Sequence, residues 1–399
     1  MNLSNPRENL LQTALSLKGN HWIFELATGT GKSKIAIEKI KQLCDGKDYS
    51  QTILIVVPRN IHKQNWKDEI YKWWPECTHP IIYTTYVSLP KYKSKWDYII
   101  FDECHHLSDR CKEAVSNFKI RHALFLSATI NRELKSYLCN TFSGMQILKA
   151  DLRNVIDDGI LPDPKVYLIP LKLGNEITEC ICKNPKATGT PIETNWTERW
   201  SYKNVKNIPI HIRCTEQQYL QDLNNQIEWW KSRYKRTRNE GVKTKWLKLC
   251  NDRLIWLSRK KDNIVLRLLD KLSSYRTLTF CSGISQTEVL GSNCINSKNS
   301  NSEYILKEFN NEAIHHITAC NMLNEGINLY NCQIGIYANV NSSEVIVKQR
   351  AGRLLRHRNP VIIIPYFKFT REEELVKKML ENYNPKLVRT VNFIEEIVI

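Results

Sequence analysis

The sequence is organised around Phe24-Glu25-Leu26-Ala27-Thr28-Gly29-Thr30-Gly31-Lys32-Ser33. An apolar run leads into this glycine-rich stretch and apolar residues at helical spacing follow it, which predicts a strand, a turn and a helix N-terminus. Gly29 and Gly31 let the backbone wrap closely around a ligand, and the free N–H groups of such a turn attract phosphate. Lys32 is placed to reach the β- and γ-phosphates and Ser33 to hold Mg²⁺. The usual pattern fails only at its first position, where Leu26 stands.

Length and composition set the broad class. At 399 residues the chain is long enough for two domains, and 42% hydrophobic with 25% charged residues is typical of a globular protein. The formal charge of +17 favours a polyanionic partner, above all nucleic acid. Thirteen cysteines without framework spacing indicate reduced thiols, so we expect a cytoplasmic protein, or one in the host cytoplasm if viral. With no signal-peptide pattern and no apolar run near ~20 residues, we expect no membrane partner.

Four further apolar runs predict strands, at 52–58, 81–86, 96–101 and 123–126. Helical stretches separate them, which indicates parallel βα units whose ligand lies at the carboxyl ends of the strands. Two polar groups fall at such ends, together with the glycine-rich turn. They are Asp102-Glu103-Cys104-His105 and Ser127-Ala128-Thr129.

The acidic pair after the fourth strand suits a metal-dependent site. Ser33 alone cannot fix a metal ion, and Asp102 stands where a second Mg²⁺-holding group is needed. Glu103 could orient or deprotonate an attacking water. A zinc site built on residues 104–106 is disfavoured, because three adjacent side chains cannot easily face one ion.

These motifs resemble motifs I, II and III of the superfamily 2 helicases, in the DExH group related to restriction-enzyme subunits and to phage or repair DNA helicases. Residues 57–59 resemble motif Ia. The resemblance implies that nucleic acid is contacted by Pro58, Arg59, Thr84 and Thr85. It implies that ATP hydrolysis is coupled to movement through Ser127, Ala128 and Thr129.

The resemblance also implies a second RecA-like domain, and its motifs follow in order. Residues 277–282 resemble motif IV, 322–329 motif V, and 349–356 fit the Q-x-x-G-R-x-x-R pattern of motif VI. Asn328 stands where the family often has Asp, and the family's adenine-reading motif is not evident.

The expected ligands are ATP and Mg²⁺, with Mg²⁺ on Ser33 and Asp102. The residues expected to bind the nucleotide are Thr28, Gly29, Thr30, Gly31, Lys32, Ser33, Asp102 and Gly326.

Motif VI supplies positive charge for the γ-phosphate. An arginine finger can contribute roughly 10³–10⁵ in rate. Arg353 and Arg356 lie three residues apart, so on a helix both would face the cleft, and Gln349 lies one turn earlier. We therefore assign Glu103, Gln349, Arg353 and Arg356 to catalysis, although a solvated basic helix face would give the same pattern.

The fold prediction is α/β, with two tandem RecA-like domains, parallel sheets and a basic helical insertion in the second domain. The domains are expected at 1–150 and 151–399, with the insertion at about 172–262.

The expected insertion has two parts. Periodicity is poor over 172–212, which suggests irregular structure. Residues 225–262 then carry twelve Lys or Arg and four Asp or Glu residues, a net charge of +8, with tryptophans interleaved. They could be two antiparallel helices with solvated lysines, or an insertion that touches nucleic acid, which we favour.

The sequence thus predicts an ATP-dependent helicase or translocase, with DNA favoured over RNA and a protein partner in replication, repair or restriction as a further expectation. One alternative is a nucleic-acid-dependent ATPase that remodels or anneals without unwinding, or that serves a partner nuclease. Another is an inactive nucleic-acid clamp, which the intact motifs disfavour.

Overall fold

Two parallel β-sheets form the body of the protein in the computed structural model, which describes residues 5–44, 51–92, 95–320, 329–341 and 343–399. The first sheet and its helices comprise α1 (Pro6–Ser16), β1 (His21–Leu26), α2 (Lys32–Cys44), β2 (Ile53–Val57), α3 (Asn60–Trp73), β3 (Ile81–Thr85), β4 (Lys95–Phe101), α4 (Asp109–Ser116), β5 (Lys119–Ser127), α5 (Arg132–Thr141), β6 (Gln146–Ala150) and α6 (Leu152–Asp157).

The first sheet has the order β3-β2-β4-β5-β1-β6, and every neighbouring pair of its strands is parallel. The predicted strands and their parallel arrangement are therefore confirmed. All five residues of β2 are buried, as a strand covered on both faces requires. The edge strand β6 was not predicted, because only Ala150 of its five residues is buried and it carries little apolar signal.

The remaining chain builds a second sheet and a small third one. Its elements are β7 (Lys165–Leu171), β8 (Ile177–Lys183), β9 (Ile192–Asn195), β10 (Ile210–Thr215), α7 (Glu216–Thr237), α8 (Glu240–Arg259), α9 (Asp262–Lys271), β11 (Thr277–Phe280), α10 (Ile284–Leu290), β12 (Cys294–Ile295), α11 (Ser302–Asn310), β13 (His316–Ala319), β14 (Ile334–Ile336), α12 (Glu344–Leu354), β15 (Val361–Phe367), α13 (Arg371–Leu380) and β16 (Val388–Thr390).

The second sheet has the order β12-β13-β11-β14-β15-β7-β16, again with all neighbours parallel. The fold class predicted from the sequence, two tandem parallel-sheet domains of the RecA type, is confirmed. Strand β11 lies within residues 277–282, which resemble motif IV.

The expectation of irregular structure over 172–212 is wrong. Strands β8, β9 and β10 form a separate sheet in the order β8-β10-β9, with β8 antiparallel and β9 parallel to β10. Its core is small and contains Ile181, Ile210, Ile212 and Cys214. Because β8 and β9 are mostly exposed and mix polar with apolar residues, their sequence shows little periodicity.

The basic segment forms a hairpin of two helices. Thr215 and Gln218 form a capping box at the start of α7. Arg238, with a φ of 51°, ends this helix in a left-handed conformation, and Asn239 caps α8 directly afterwards. The Tyr234 and Trp246 rings stack at 5.9 Å between the helices.

None of the helices that the structure describes is long and apolar enough to span a membrane.

The two large sheets share one continuous hydrophobic core. It runs from α1 and β1 through Val155 and Leu161 to β11, α12 and β15. Separate clusters cover the outer face of each large sheet. The shared core therefore packs the two domains directly against each other.

A fully buried ion pair anchors the end of the hairpin in the second sheet's domain. Lys261 Nζ lies 2.6 Å from Glu372 Oε1, and both side chains are completely buried. Lys261 also donates to the Pro365 carbonyl at 3.3 Å, and Glu372 Oε2 accepts from the Phe367 N–H at 3.1 Å. Desolvation lowers the pKa of Lys261, and the charge of Glu372 opposes that shift. The pair therefore depends on both partners.

This pair gives the first prediction. We expect Lys261→Met to lower the free energy of unfolding by about 3–5 kcal/mol, because it leaves the Glu372 carboxylate buried without a cation. The double variant Lys261→Met/Glu372→Leu should recover most of that loss. Urea unfolding followed by circular dichroism measures both. The effect of Glu372→Leu in the wild-type protein is the reference. If Glu372→Leu lowers the free energy of unfolding by the same amount in the Lys261→Met variant, the two groups are not coupled.

Candidate functional site

The predicted site residues lie along one edge of the first sheet. Because all its strands are parallel, their carboxyl ends share that edge, and the strand order sets the sequence of side chains. From the outer strand inward these are Thr85 at the end of β3, Arg59 after β2, Asp102 after β4, Thr129 after β5 and Gly29 after β1. The structure thus brings together residues from five separate parts of the chain.

The glycine-rich turn has the backbone that a phosphate loop needs. Gly29 and Gly31 have φ values of +96° and +91°, which disfavour any other residue. Helix α2 begins at Lys32, directly behind the turn, so its N–H groups point out of the helix end. Lys32 Nζ donates to the Leu26 carbonyl at 3.2 Å and lies 3.9 Å from Glu103 Oε1. The ammonium group is therefore held between the loop and the acidic pair.

Burial and a neighbouring negative charge both disfavour the ionised form of the Asp102 carboxyl group. Desolvation first, and then the neighbouring charge of Glu103, raise its pKa to about 6. Two groups limit that shift: Trp66 Nε1 donates to Asp102 Oδ2 at 2.9 Å, and the charge of Lys32 is close by. The Tyr86 hydroxyl fixes the backbone by donating to the Asp102 carbonyl at 2.7 Å. A second cation near Asp102 would relieve the repulsion, which suits a metal ligand.

Glu103 connects the acidic pair to the strand that ends at Ser127. It adopts a left-handed backbone with φ 48°, uncommon for a residue other than glycine. Its Oε2 lies 3.4 Å from His105 Nδ1, and the same nitrogen lies 3.1 Å from Ser127 Oγ. Ser127 Oγ donates to the Thr129 carbonyl at 2.8 Å. Glu103, His105 and Ser127 thus form a chain of contacts from the acidic pair to residues 127–129; Ala128 is buried.

The residues predicted to contact nucleic acid differ in accessibility. Arg59 is exposed and Pro58 and Thr85 are partly exposed at the ends of β2 and β3. The side chain of Thr84 is completely buried. The Thr84 hydroxyl therefore does not face a strand at the surface, and for the other three residues a contact with nucleic acid stays a prediction.

Helix α12 of the second sheet packs directly on the glycine-rich turn. A methyl group at Gly352 would lie 2.4 Å from Thr28 Cβ and 2.6 Å from the Thr28 carbonyl oxygen, so only glycine permits this approach. The Gly352 carbonyl also lies 3.4 Å from the position of a Cβ at Gly29. The same helix carries Gln349 and Arg353, which are both buried. The structure therefore brings motif VI to motif I.

The expectation that one helix carries both arginines is wrong for Arg356. Helix α12 ends at Leu354, and Arg356 lies in the turn that follows. Desolvation lowers its pKa, and its charged neighbours include Glu69 and Arg7 on the first sheet's side. Arg356 thus reaches the facing domain from the turn instead of from the helix. Gly326, the remaining predicted nucleotide contact, is outside the described residues.

The residues present fit a nucleotide with a divalent metal. Among the described side chains, Thr28 Oγ1 and both ends of the Gln349 amide are buried without a hydrogen-bond partner, which is costly unless a ligand supplies one. They lie on the two sides of the Thr28–Gly352 contact. The helix end behind Gly31 offers donors, Lys32 a cation, and Ser33 and Asp102 the oxygen ligands that Mg²⁺ prefers.

Comparison with protein families agrees with this geometry. Residues 7–132 match the family described as "Type III restriction enzyme, res subunit", and residues 260–358 match "Helicase conserved C-terminal domain". No curated protein matches the chain. The two matches stand in the order of a helicase core, and the chain belongs to the superfamily 2 helicases, related to restriction-enzyme subunits. Domains of this kind imply nucleic-acid-dependent ATPase activity in general.

Solved structures share the fold at low identity. S. cerevisiae Dbp5 bound to RNA and ADP BeF3 matches with a TM-score of 0.60 and 11% identity, over 97% of this chain and 89% of that one. The Pyrococcus furiosus Hef helicase domain has a TM-score of 0.51 and 13% identity, over 93% and 97%. The type ISP restriction-modification enzyme LlaBIII bound to DNA has a TM-score of 0.55 and 13% identity, over 98% of this chain and 31% of that one.

Three contacts were not foreseen from the sequence. Trp66 holds the Asp102 carboxylate, His105 bridges Glu103 and Ser127, and Leu161 packs 3.3 Å from the position of a Cβ at Gly29. The sequence suggests for His105 only a disfavoured metal site, although its place in the DExH motif is a signal for such a contact. Trp66 and Leu161 have no local signal, since each meets its partner through tertiary packing.

The raised pKa of Asp102 gives the second prediction. A carboxyl group whose pKa is higher in the folded state stabilises the fold when protonated, below its ordinary pKa of about 3.9, and loses that contribution as pH rises through about 6. Asp102→Asn imitates the protonated group. We expect it to raise the free energy of unfolding by about 2–3 kcal/mol at pH 7.5 without metal, since the pKa rises from about 3.9 to about 6 and each pKa unit corresponds to about 1.4 kcal/mol.

The gain should fade on acidification. Urea unfolding of both proteins at pH 7.5, pH 6 and near pH 4 measures the difference, which should approach zero at the lowest pH. The control is Asp109→Asn, whose carboxylate is 98% exposed and should show no comparable change. A stability difference for Asp102→Asn that is the same at all three pH values would contradict the assigned cause.

Proposed function

We propose that the protein is a nucleic-acid-stimulated ATPase that translocates on DNA and unwinds it, with hydrolysis at the junction of two RecA-like domains. We place these domains at 1–150 and 151–399, with the insertion at about 172–262. The observation that carries the proposal is the contact between Thr28 and Gly352. It places the arginine-bearing helix of one domain on the phosphate loop of the other.

The roles follow from the positions of the groups. Mg²⁺-bound ATP supplies the phosphoanhydride whose hydrolysis drives movement. Lys32 and the backbone of residues 28–33 would hold the phosphates, and Ser33 and Asp102 the metal. Glu103 would orient the attacking water, since its carboxylate lies beside Lys32 and is fixed by His105. Gln349, Arg353 and Arg356 would complete the site from the second domain, where Arg353 offsets the charge that develops on the terminal phosphate.

The path from hydrolysis to movement would run through Ser127. Its hydroxyl touches both the Glu103–His105 pair and the backbone of Thr129, so a change at the water-positioning carboxylate reaches residues 127–129. Pro58, Arg59 and Thr85 stand on the same edge and would grip the strand, mainly through phosphates. The excess of positive charge supports such a grip.

All thirteen cysteines lack disulfides, which supports a reducing, cytoplasmic location.

A second candidate is a motor subunit that serves a partner nuclease and does not itself displace strands. The match to a restriction-enzyme subunit favours it, as does the LlaBIII structure, of which this chain covers only 31%. Both candidates need the same ATPase site. They differ in whether hydrolysis by the isolated protein separates a duplex.

The function is tested by ATPase rates with single-stranded DNA, duplex DNA, forked DNA and RNA, together with strand displacement on the fork. We expect DNA to raise the ATPase rate and Lys32→Ala to abolish it. Lys34→Ala should leave it intact, because Lys34 lies on the same helix but points to the Trp73 ring at 4.4 Å. Stimulated hydrolysis without displacement would favour the motor-subunit candidate. A rate that no nucleic acid changes would reject both.

Closure of the two domains gives a separate prediction. Gly352→Ala inserts a methyl group into the Thr28 contact, so we expect the stimulated ATPase rate to fall at least ~100-fold, part of the roughly 10³–10⁵ that a positioned arginine contributes. Nucleotide affinity, measured with a fluorescent ATP analogue, should change little. The control is Gly283→Ala, because nothing lies within 4 Å of a Cβ at that glycine. Equal ATPase rates for the two variants would contradict the closure role.

A further inference from the structure

The outer part of the α7–α8 hairpin stands outside the hydrophobic core. The buried residues of α7 end at Ile227, and those of α8 are Leu257 and Ser258. No residue from 228 to 250, all of which the structure describes, is buried. We refer to residues 228–250 as the arm; beyond Ile227, α7 alone continues for about 15 Å. The arm lies between the two segments that match known families, 7–132 and 260–358, so neither match accounts for it.

The arm concentrates positive charge. It carries eight Lys or Arg residues and only two acids, Glu228 and Glu240. Each acid pairs with a lysine of its own helix, at 3.1 Å to Lys231 and 3.1 Å to Lys243. Lys235, Arg236 and Lys248 are exposed. Such a density of like charge destabilises an isolated hairpin, and a polyanion would offset the repulsion.

The aromatic residues of the arm hold the hairpin together. Tyr234 and Trp246 stack across the two helices at 5.9 Å, and Trp229 meets the edge of Trp230 at 4.7 Å. The Arg233 guanidinium lies over both tryptophans, at 5.3 and 5.6 Å from their ring centres. A site for single strands needs free aromatic faces on which bases can stack. Here each of the four rings packs against another ring, and Trp229 alone among them is largely exposed, at 51%, which favours a ligand that is bound mainly through its backbone.

The base of the arm is fixed to the second domain by buried polar contacts. Ser258 Oγ donates to Gln286 Oε1 at 2.7 Å and lies 2.9 Å from the Ala338 carbonyl, and the side chains of Ser258 and Gln286 are fully buried. Lys260 lies 2.7 Å from Glu216 Oε1, which joins the end of α8 to the start of α7. The Lys261–Glu372 pair follows directly. The arm therefore moves with the second domain.

We propose that the arm binds the sugar–phosphate backbone of duplex DNA and carries that duplex with the second domain. Charge complementarity and the engaged aromatic faces identify a duplex, and the choice of DNA rests on the function proposed above. The binding is independent of base sequence and strongly salt-dependent. It is separate from the grip along the edge of the first sheet.

The test measures binding of the full chain to a short fluorescein-labelled duplex DNA by fluorescence anisotropy, without nucleotide, across about 50–200 mM salt. The arm variant is Lys235→Gln/Arg236→Gln/Lys248→Gln. The matched control removes three exposed charges outside the arm, one in α13 and two in the segment that follows it, as Lys378→Gln/Lys386→Gln/Arg389→Gln. We expect the arm variant to lower the slope of log K against log salt by about 2–3, at roughly 0.9 per lost phosphate contact. The control should keep the wild-type slope.

Parallel titrations with the same DNA as a single strand and with duplex RNA identify the ligand. The proposal predicts that the loss is greatest on duplex DNA. Equal slopes for the arm variant, the control and the wild type would overturn it, as would a loss confined to single strands or to RNA. Thermal unfolding by circular dichroism verifies that all variants are folded.

The outcome is distinguishable from failure of the proposed function. At saturating DNA the arm variant keeps every residue of the ATPase site, so it should retain the stimulated rate. Lys32→Ala should lose hydrolysis and keep the wild-type salt slope. A protein without stimulated hydrolysis whose slope still depends on the arm would reject the function and leave the arm proposal standing.

Discussion

The structure depends on one close approach between two backbones. Gly352 in α12 lies so near Thr28 that no side chain fits between them. This contact sets the distance between the phosphate loop and the helix that carries Gln349 and Arg353. A glycine at this point is therefore a requirement of assembly between domains, whereas Gly29 and Gly31 meet a requirement of local backbone conformation, their positive φ. Motif VI therefore combines a glycine that permits the close approach with the arginines that carry the charge.

The parallel sheets explain why so few residues suffice for a complex site. Each strand of the first sheet ends at one edge, and each contributes one or two polar groups there. The cost of gathering them is electrostatic, because Asp102 and Glu103 are adjacent carboxylates in a partly desolvated place. Trp66, Lys32 and His105 reduce that cost without removing it. The strain that remains favours a bound cation, which links the stability of the empty site to its chemistry.

Sequence reasoning succeeded where the signal was local. Buried strands such as β2 are continuous apolar runs, and the polar residues directly behind them had to reach one edge, so most of the first domain followed. It failed where the signal was tertiary. The strands β8 and β9 are short and mixed in polarity, the end of α12 before Arg356 is set by packing, and Trp66 meets Asp102 across 36 positions of the chain. The burial of Thr84 was likewise not readable from a polar residue at a strand end.

The central claim is that one phosphate is held by groups from both domains. A crystal structure of the protein with ADP, beryllium fluoride and Mg²⁺ tests it most directly. The account predicts that Lys32 Nζ and the Arg353 guanidinium both lie within hydrogen-bonding distance of the fluoride that marks the terminal phosphate. Gly352 should still contact Thr28. A nucleotide held on the loop with Arg353 turned away, and with the Gly352–Thr28 contact open, would contradict it.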